Sequence, residues 1–191
     1  HPTLGTCYAW LEAGGSPKGA NVVQECGAGL VKIRRDGSRL AFAAPRRNKS
    51  GLLDECEVDL IARGLGISRE GIIAHSWCDN GPNWQAVMLR SAEAVLALKP
   101  DATLLAGLDV GVVGPRAEGD TQFEVRAFFP GNNGMTEDPV TGSLNAAVAQ
   151  WLIESGLAPE RYVAAQGTAM SRRGRVFVER DDEGIIWIGG H

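Results

Sequence analysis

The sequence predicts an α+β fold of two similar halves, each a curled sheet wrapped around one central apolar helix. Three observations predict it. Short strand-like runs are interspersed with only a few helices. Two of those helices, at 2–13 and 139–155, are apolar on nearly every side, which forces them into the interior rather than onto a surface. They also open alike, with His1-Pro2-Thr3-Leu4-Gly5-Thr6 in one and Asp138-Pro139-Val140-Thr141-Gly142-Ser143 in the other. After each comes a glycine-marked helix end, a strand carrying Gln24 or Gln166, a glycine at 27 or 167, and a hairpin turned at Gly37 or Gly184. One unit is used twice.

Taken in order, residues 2–13 form a helix rich in Leu4, Cys7, Tyr8, Trp10 and Leu11, closed by Gly14-Gly15. Strands follow near 21–26, 30–35 and 40–43, the last two joined at Asp36-Gly37. Residues 44–51 are polar and breaker-rich, as a linker is. A short helix is expected at 57–65, then strands at 72–77 and 85–89 joined through Asp79-Asn80-Gly81-Pro82. A short helix at 92–98, a strand within 103–113 and an alternating strand at 122–129 come next. Gly131-Asn132-Asn133-Gly134 lacks the Gly-Lys-Ser/Thr ending of a phosphate loop and reads as a plain turn. The second apolar helix and strands at 162–165, 175–179 and 185–188 complete the chain.

This order divides the chain into residues 1–45, the later portion of a first half, a linker at 46–56, and a second half at 57–191. The second half has several strands ahead of its helix motif and the first has none. Symmetry therefore leads us to expect a further segment of about 70 residues upstream of His1, from usual domain sizes.

Composition excludes several classes of function. The 191 residues are 44% hydrophobic and 22% charged, ordinary for a globular chain. A formal charge of −4, with both signs mixed along the sequence, gives no basic stripe for nucleic acid and no cationic run for a membrane surface. No apolar run reaches the length of a membrane span. The cysteines at 7, 26, 56 and 78 form no C-x-x-C pair and no Cys/His cluster, so no metal site is expected. They read as reduced thiols of a cytoplasmic protein, Cys7 in a helix and the others in strand, linker or loop. His75, in an apolar strand, reads as structural. Arg34-Arg35 and Arg172-Arg173 read as solvated turns, and Trp10, Trp151 and Trp187 as core or interface fillers.

The helix starts carry the chemistry. Proline suits the first helical position and aspartate the cap before it, so Asp138-Pro139 is first of all a helix start. Yet Gly142 and Gly5 sit in the first turn, where glycine costs about 1 kcal/mol relative to alanine. Something close to the backbone explains them. Thr6 and Ser143 add a hydroxyl after each glycine. Free N–H groups and the positive helix end make such a terminus a seat for an anion, most naturally a carboxylate. Two of them facing each other would grip a small acid from both sides, with Thr141, Gly142, Gly5 and Thr6 as its binding surface.

Glu137-Asp138-Pro139-Val140-Thr141-Gly142-Ser143, preceded by Arg126-Ala127-Phe128-Phe129-Pro130, resembles the signature of the phenazine-biosynthesis PhzF-like isomerase family. His1-Pro2-Thr3-Leu4-Gly5-Thr6 resembles that family's first motif. Asn80-Gly81-Pro82-x-Trp84 and Gln166-Gly167 followed by Arg172-Arg173-Gly174 match in the same order. The resemblance implies a diaminopimelate-epimerase-like fold with its active site between the halves. It implies a cofactor-independent isomerase that moves a proton within a small carboxylic acid, as a homodimer. His1, Asp138 and Ser143 match the family's active-site positions, and Gly142 offers backbone to the substrate. The family's main proton-shuttling glutamate lies upstream of the His-Pro-Thr motif, and its chains continue past the Gly189-Gly190-His191 stretch, so truncation at both ends is expected. Two alternatives remain open. One is an amino-acid racemase or epimerase, whose paired thiols have no counterparts at the helix starts; the other is a binding or interaction protein that keeps the fold without catalysis.

Overall fold

In a computed structural model the described residues are 2–27, 29–131 and 134–190. The first unit consists of helix α1 (Pro2–Glu12) and strands β1 (Val22–Cys26), β2 (Gly29–Asp36) and β3 (Arg39–Ala43), a meander of antiparallel neighbours. Helix α2 (Glu55–Leu65), strands β4 (Ile72–Trp77) and β5 (Gln85–Leu89), helix α3 (Ala92–Leu96) and strands β6 (Val110–Pro115), β7 (Phe123–Gly131) and β8 (Gly134–Asp138) come next. Helix α4 (Gly142–Glu154) and strands β9 (Arg161–Gln166), β10 (Gly174–Arg180) and β11 (Ile186–Gly190) end the chain as a second helix-plus-meander.

Among the described residues, all eleven strands belong to one sheet, ordered β1-β2-β3-β11-β10-β9-β7-β6-β5-β4, with β8 paired to β7 alone. The first six positions read the same from either end of the repeat. The two meanders meet last strand to last strand, with Ala41 opposite Gly189 and Phe42 opposite Ile188. Each hairpin turns on a glycine in the left-handed region, Gly37 at φ 62° and Gly184 at φ 80°, a conformation that costs glycine little. The repeat read from the sequence is thus a pseudo-twofold in the fold, with its axis at the β3–β11 seam.

Side-chain alternation splits the sheet into two cores. Ala86, Met88, Phe123, Val125 and Ala127 pack with α4, whereas Val87, Leu89, Val112 and Phe128 pack with Val58, Ile61 and Leu65 of α2 and with Val95 of α3. Strand β5 is buried at every position, which explains its unbroken apolar run. Fully buried Leu144 and Leu152 anchor α4, each contributing about 1.5–3 kcal/mol of hydrophobic burial. Among the described residues no helix is long and apolar enough to cross a membrane.

Several expectations are corrected here. Enclosure is nearly complete for α4, whose exposed residue is Glu154 at its end, but one-sided for α1. Only Cys7 of α1 is buried, while Tyr8 is 60% and Trp10 42% exposed, because α1 rests on β1 and β3 and nothing among the described residues covers its outer side. Helix α4 begins at Gly142 and not at 139, since Asp138 is the last residue of β8. Strand β8 was not anticipated; it is short and polar, and it pairs one-sidedly across the 131–134 turn, of which Asn132 and Asn133 lie outside the described residues. The strand expected within 103–113 occupies Val110–Pro115. Cys56 lies in α2, not in a linker. Arg34 is not at a turn but in β2, where it pairs with Glu179 and lies over the Trp187 ring at 4.6 Å.

The 44–54 stretch is strapped to the second unit rather than free. Asn48 N–H donates to Asp79 O, Trp77 N–H to Gly51 O, and Lys49 Nζ sits 3.3 Å from the Trp77 ring centre. At its end, Glu57 accepts from the Asp54 N–H at 2.9 Å and so caps α2. His75 anchors the same stretch, its Nδ1 accepting from Leu53 N–H at 3.2 Å.

That bond requires a neutral imidazole. Burial chiefly, with help from the Arg69 charge and against Glu55, holds the His75 pKa below its ordinary value. The folded protein therefore binds this proton more weakly than the unfolded chain. Its contribution to stability is whole above about pH 6.5 and is lost as pH falls from there through the lower native value. Urea unfolding between pH 8 and pH 5 is expected to show that loss, and His75→Leu to flatten it. In the same assay Leu152→Ala should cost about 2–5 kcal/mol at any pH.

Candidate active site

The seam places the starts of α1 and α4 on one cleft of about 780 Å³. Pro2, Thr3, Leu4 and Gly5 border it from α1, and Asp138 and Val140 to Ser143 border it from the β8–α4 junction. Of the residues expected to form the site, Asp138, Thr141, Gly142, Ser143 and Gly5 are therefore together. Thr6 is not: it is exposed and does not border the cleft. Because α1 already begins at Pro2, Thr6 lies a full turn in, where its N–H is directed to the Pro2 carbonyl by helix geometry and its side chain is rotated away. His1 lies outside the described residues.

The α4 start differs in just this respect. Gly142 and Ser143 are its first two helical residues, and Asn145 is the first to return a backbone bond, to Thr141 O at 3.1 Å. Helix geometry leaves the N–H groups of Gly142 and Ser143 without intrahelical acceptors. They are free to meet an anion, as a cap of a different kind would not permit. Thr141 is the N-cap residue, but its hydroxyl makes no cap bond. It donates to Asp138 Oδ2 instead, at 2.7 Å.

Gln166, fully buried at the end of β9, organises the junction. Its Oε1 accepts from Thr141 N–H at 3.0 Å and from Asn145 Nδ2 at 2.8 Å. Its Nε2 donates to Asp138 O and to Thr141 Oγ1, both at 2.9 Å. The direction of every bond follows. Since Gln166 donates to the Thr141 hydroxyl, that hydroxyl must give its own proton to Asp138. Asp138 Oδ2 is held as an acceptor, and among the described residues no donor reaches its Oδ1. Gly167, next to Gln166, has φ 85°, and a Cβ there would lie 2.6 Å from Pro139 O, so only glycine lets β9 close on the junction.

A second wall comes from the 78–84 loop, closed by Cys78 N–H to Trp84 O. Trp84 Nε1 donates to Ser143 Oγ at 3.0 Å, and Asn80 Nδ2 to Ser143 O at 2.9 Å. Its oxygen accepts from the indole, which leaves the Ser143 hydroxyl proton free of that bond. Behind β8, Arg126 pairs with Glu137 through two bonds of 2.8 and 2.7 Å and donates to Val95 O and Leu98 O at the end of α3. Glu137 is thus a strut that sets the strand leading into Asp138.

The polar partners Gln166, Asn145, Trp84 and Arg126 had no assigned role in the sequence reading. Gln166 had a signal in the repeat, opposite Gln24, and Gln166, Trp84 and Arg126 stand in the motifs that carry the family resemblance, whereas Asn145 had none. Cys26 of β1 also borders the cleft, while Cys7 and Cys78 are buried, burial holding the Cys78 thiol up at about 12. Among the described residues no group of three or more His, Cys, Asp or Glu is placed to hold a metal ion.

Gln166→Leu removes both the acceptor of Thr141 N–H and the donor to Asp138 O, each then buried without a partner. A loss of about 2–5 kcal/mol in urea unfolding is expected. Gly167→Ala should destabilise comparably, through strain and not through lost bonds.

Residues 1–186 match the family model described as phenazine biosynthesis-like protein, PhzC-PhzF. The antisense-enhancing sequence 1 protein of Schizosaccharomyces pombe is 30% identical over 210 residues, covering all of this chain and 70% of that protein. An uncharacterized isomerase of Pasteurella multocida is 24% identical over 196 residues, and this chain spans 65% of its length. In structure, the chain is similar to a PhzF-family phenazine biosynthesis protein of Bacillus anthracis, with a TM-score of 0.72 at 20% identity over all of this chain and 71% of the other. It is equally similar to a Pseudomonas aeruginosa protein described as a predicted epimerase, with a TM-score of 0.73 at 23% identity over all of this chain and 70% of the other. The chain belongs to the phenazine biosynthesis-like, or PhzF, protein family.

Proposed function

We propose that the cleft is the active site of an isomerase that moves a proton within a small carboxylic acid without a cofactor. The observation that carries this reading is the α4 start: open N–H groups at Gly142 and Ser143, a serine hydroxyl with its proton to give, and a carboxylate at Asp138, all bordering one cleft. Relatives named as isomerases support the reaction class.

In this reading the substrate carboxylate sits on the α4 start. When a proton leaves the adjacent carbon, the electron pair spreads onto the carboxylate oxygens, and the N–H groups and the Ser143 hydroxyl stabilise the growing negative charge. They act before the reaction begins, because Trp84 and Gln166 already hold them in place. Asp138 and His1 orient the substrate and set protonation states, and the proton is carried by the glutamate that the family resemblance puts upstream of the His-Pro-Thr motif. The proton is then returned to a different carbon, so nothing is gained or lost overall and no redox partner is needed. A homodimer and a cytoplasmic location belong to this proposal as well.

A thiol-based racemase would need an opposed pair of sulfurs. Cys26 supplies one at the cleft, but Cys7 and Cys78 are buried and Cys56 lies on α2, away from the cleft.

The test is carbon–hydrogen exchange. In deuterated water, a panel of small carboxylic acids with acidified C–H bonds should lose proton signal in the presence of the wild-type protein. Asp138→Asn should slow the exchange at least about 100-fold with its thermal melt unchanged, and Ser143→Ala about tenfold to 100-fold with a lowered melt, because the Trp84 indole N–H loses its acceptor. Exchange at the wild-type rate in Asp138→Asn removes that residue from the chemistry. Binding of acids with no exchange in any of them identifies a binding protein instead.

A further inference from the structure

The polar groups of the cleft gather at one end. Asp138, Thr141 and Ser143 belong to the β8–α4 junction, and Asn80 joins them by donating to Ser143 O at 2.9 Å. The rest of the wall is mostly hydrocarbon. Leu4 comes from α1, Phe42 from β3, Pro45 from the strap and Val140 from the junction, and all four border the cleft while only half-buried. Val176 and Ile188 border it from the sheet beneath. Leu4 links the two halves: a Cβ on Gly190 would meet its Cδ1 at 3.9 Å, so the side chain reaches from α1 to the end of β11. Phe42 and Ile188 stand opposite each other across the seam. Apolar surface left against water favours any ligand that covers it. Charge is just as one-sided. Besides Asp138, the charged residues bordering the cleft are Arg173 and Arg175, among the described residues. Both turn to Asp120, which does not border the cleft: Arg175 donates to it at 3.2 and 3.4 Å, and Arg173 Nη2 lies 3.9 Å from its Oδ2. Each guanidinium already has a carboxylate beside it.

We infer that the substrate is a monocarboxylate with an uncharged, apolar body, and that Leu4 and Phe42 are the specificity-determining residues that hold this body over the seam. The inference rests on the carboxylate reading of the α4 start and narrows it. An acid seated on the N–H groups of Gly142 and Ser143 has the apolar wall as the neighbour for the rest of its atoms. A body with a second charge would give up hydration there without gaining a partner. A bare carboxylate would leave the wall wet. Covering the wall also removes water from the α4 start, where N–H groups act more strongly on a growing charge as their surroundings become less polar. Because Leu4 belongs to one half and Phe42 to the seam, the choice of substrate depends on both halves being joined.

Three acids that share a carboxymethyl group test it: acetate with no body, phenylacetate with an apolar one and succinate with a second charge. Binding is followed through the indole N–H resonance of Trp84, which donates to Ser143 Oγ. In the wild-type protein phenylacetate should bind about tenfold to 100-fold tighter than acetate, and succinate no tighter than acetate. Leu4→Ser, on a helix with one side uncovered, should cut the advantage of phenylacetate over acetate by about threefold to tenfold. Phe42→Leu, which keeps the core apolar, should cut it by about threefold, the fold of both variants being checked by the dispersion of the same spectrum. Equal affinities for acetate and phenylacetate, or tighter binding of succinate, would overturn the inference and leave the carboxylate reading standing. An undiminished advantage in both variants would overturn the roles of Leu4 and Phe42. No response of Trp84 to any of the three acids would remove the carboxylate reading and this inference with it.

Discussion

Everything at the cleft depends on four strand residues meeting four others. The antiparallel pairing of β3 with β11, from Leu40 opposite Gly190 to Ala43 opposite Trp187, makes two meanders into one sheet. Because each meander carries its helix on the same side of its last strand, the pairing also brings the helices together, α1 against β3 and α4 against β11. A seam of this kind resists slippage: a shift by one residue would turn Phe42 and Ile188 out of the core. The cleft is thus a consequence of the sheet register, and its two helix starts cannot drift apart while the register holds.

Duplication has not produced equal halves. Helix α1 begins at its proline and spends its glycine and threonine inside the first turn. Helix α4 is delayed by three residues, so that its glycine and serine open the helix. The delay has a visible cause in Gln166, which takes the N–H of Thr141 and the carbonyl of Asp138 as partners and so holds 138–141 out of the helix. A buried amide that satisfies both ends of a junction is worth more than its bonds counted singly, because losing it strands two backbone groups at once. The first unit has no such arrangement among its described residues, and its helix face is only half covered. In physical terms α4 brings open N–H groups to the cleft and α1 supplies the opposite wall.

The polar network is arranged in two layers. Asp138, Gly142 and Ser143 face the cleft. Behind them, Thr141, Gln166, Asn145, Trp84 and Arg126 determine where each proton and lone pair points. Such support lets hydrogen-bond donors stand ready without reorganising during a reaction. It also explains why such large polar side chains are tolerated in the interior: Gln166, Asn145, Trp84 and Arg126 all spend their polar groups on partners around the junction.

Much of this was legible beforehand. Apolar helices, alternating strands and glycine-marked hairpins follow from local rules, so most strands lie within a residue or two of where the sequence pattern puts them, and the duplicated order of elements carries the twofold. The resemblance of 126–143 to a known signature pointed to Asp138, Gly142 and Ser143. What stayed hidden was whatever depends on distant partners. Strand β8 has no pattern of its own and exists because β7 offers it an edge. The true start of α4 is chosen by Gln166, 25 residues downstream of Thr141. Thr6 and Ser143 stand in matching places in their motifs, yet only one of them borders the cleft, since a helix that starts three residues sooner turns its side chain elsewhere. Local sequence determines which segments can coil or extend; where a helix begins, and which way its first polar groups face, is decided by the side chains packed against it.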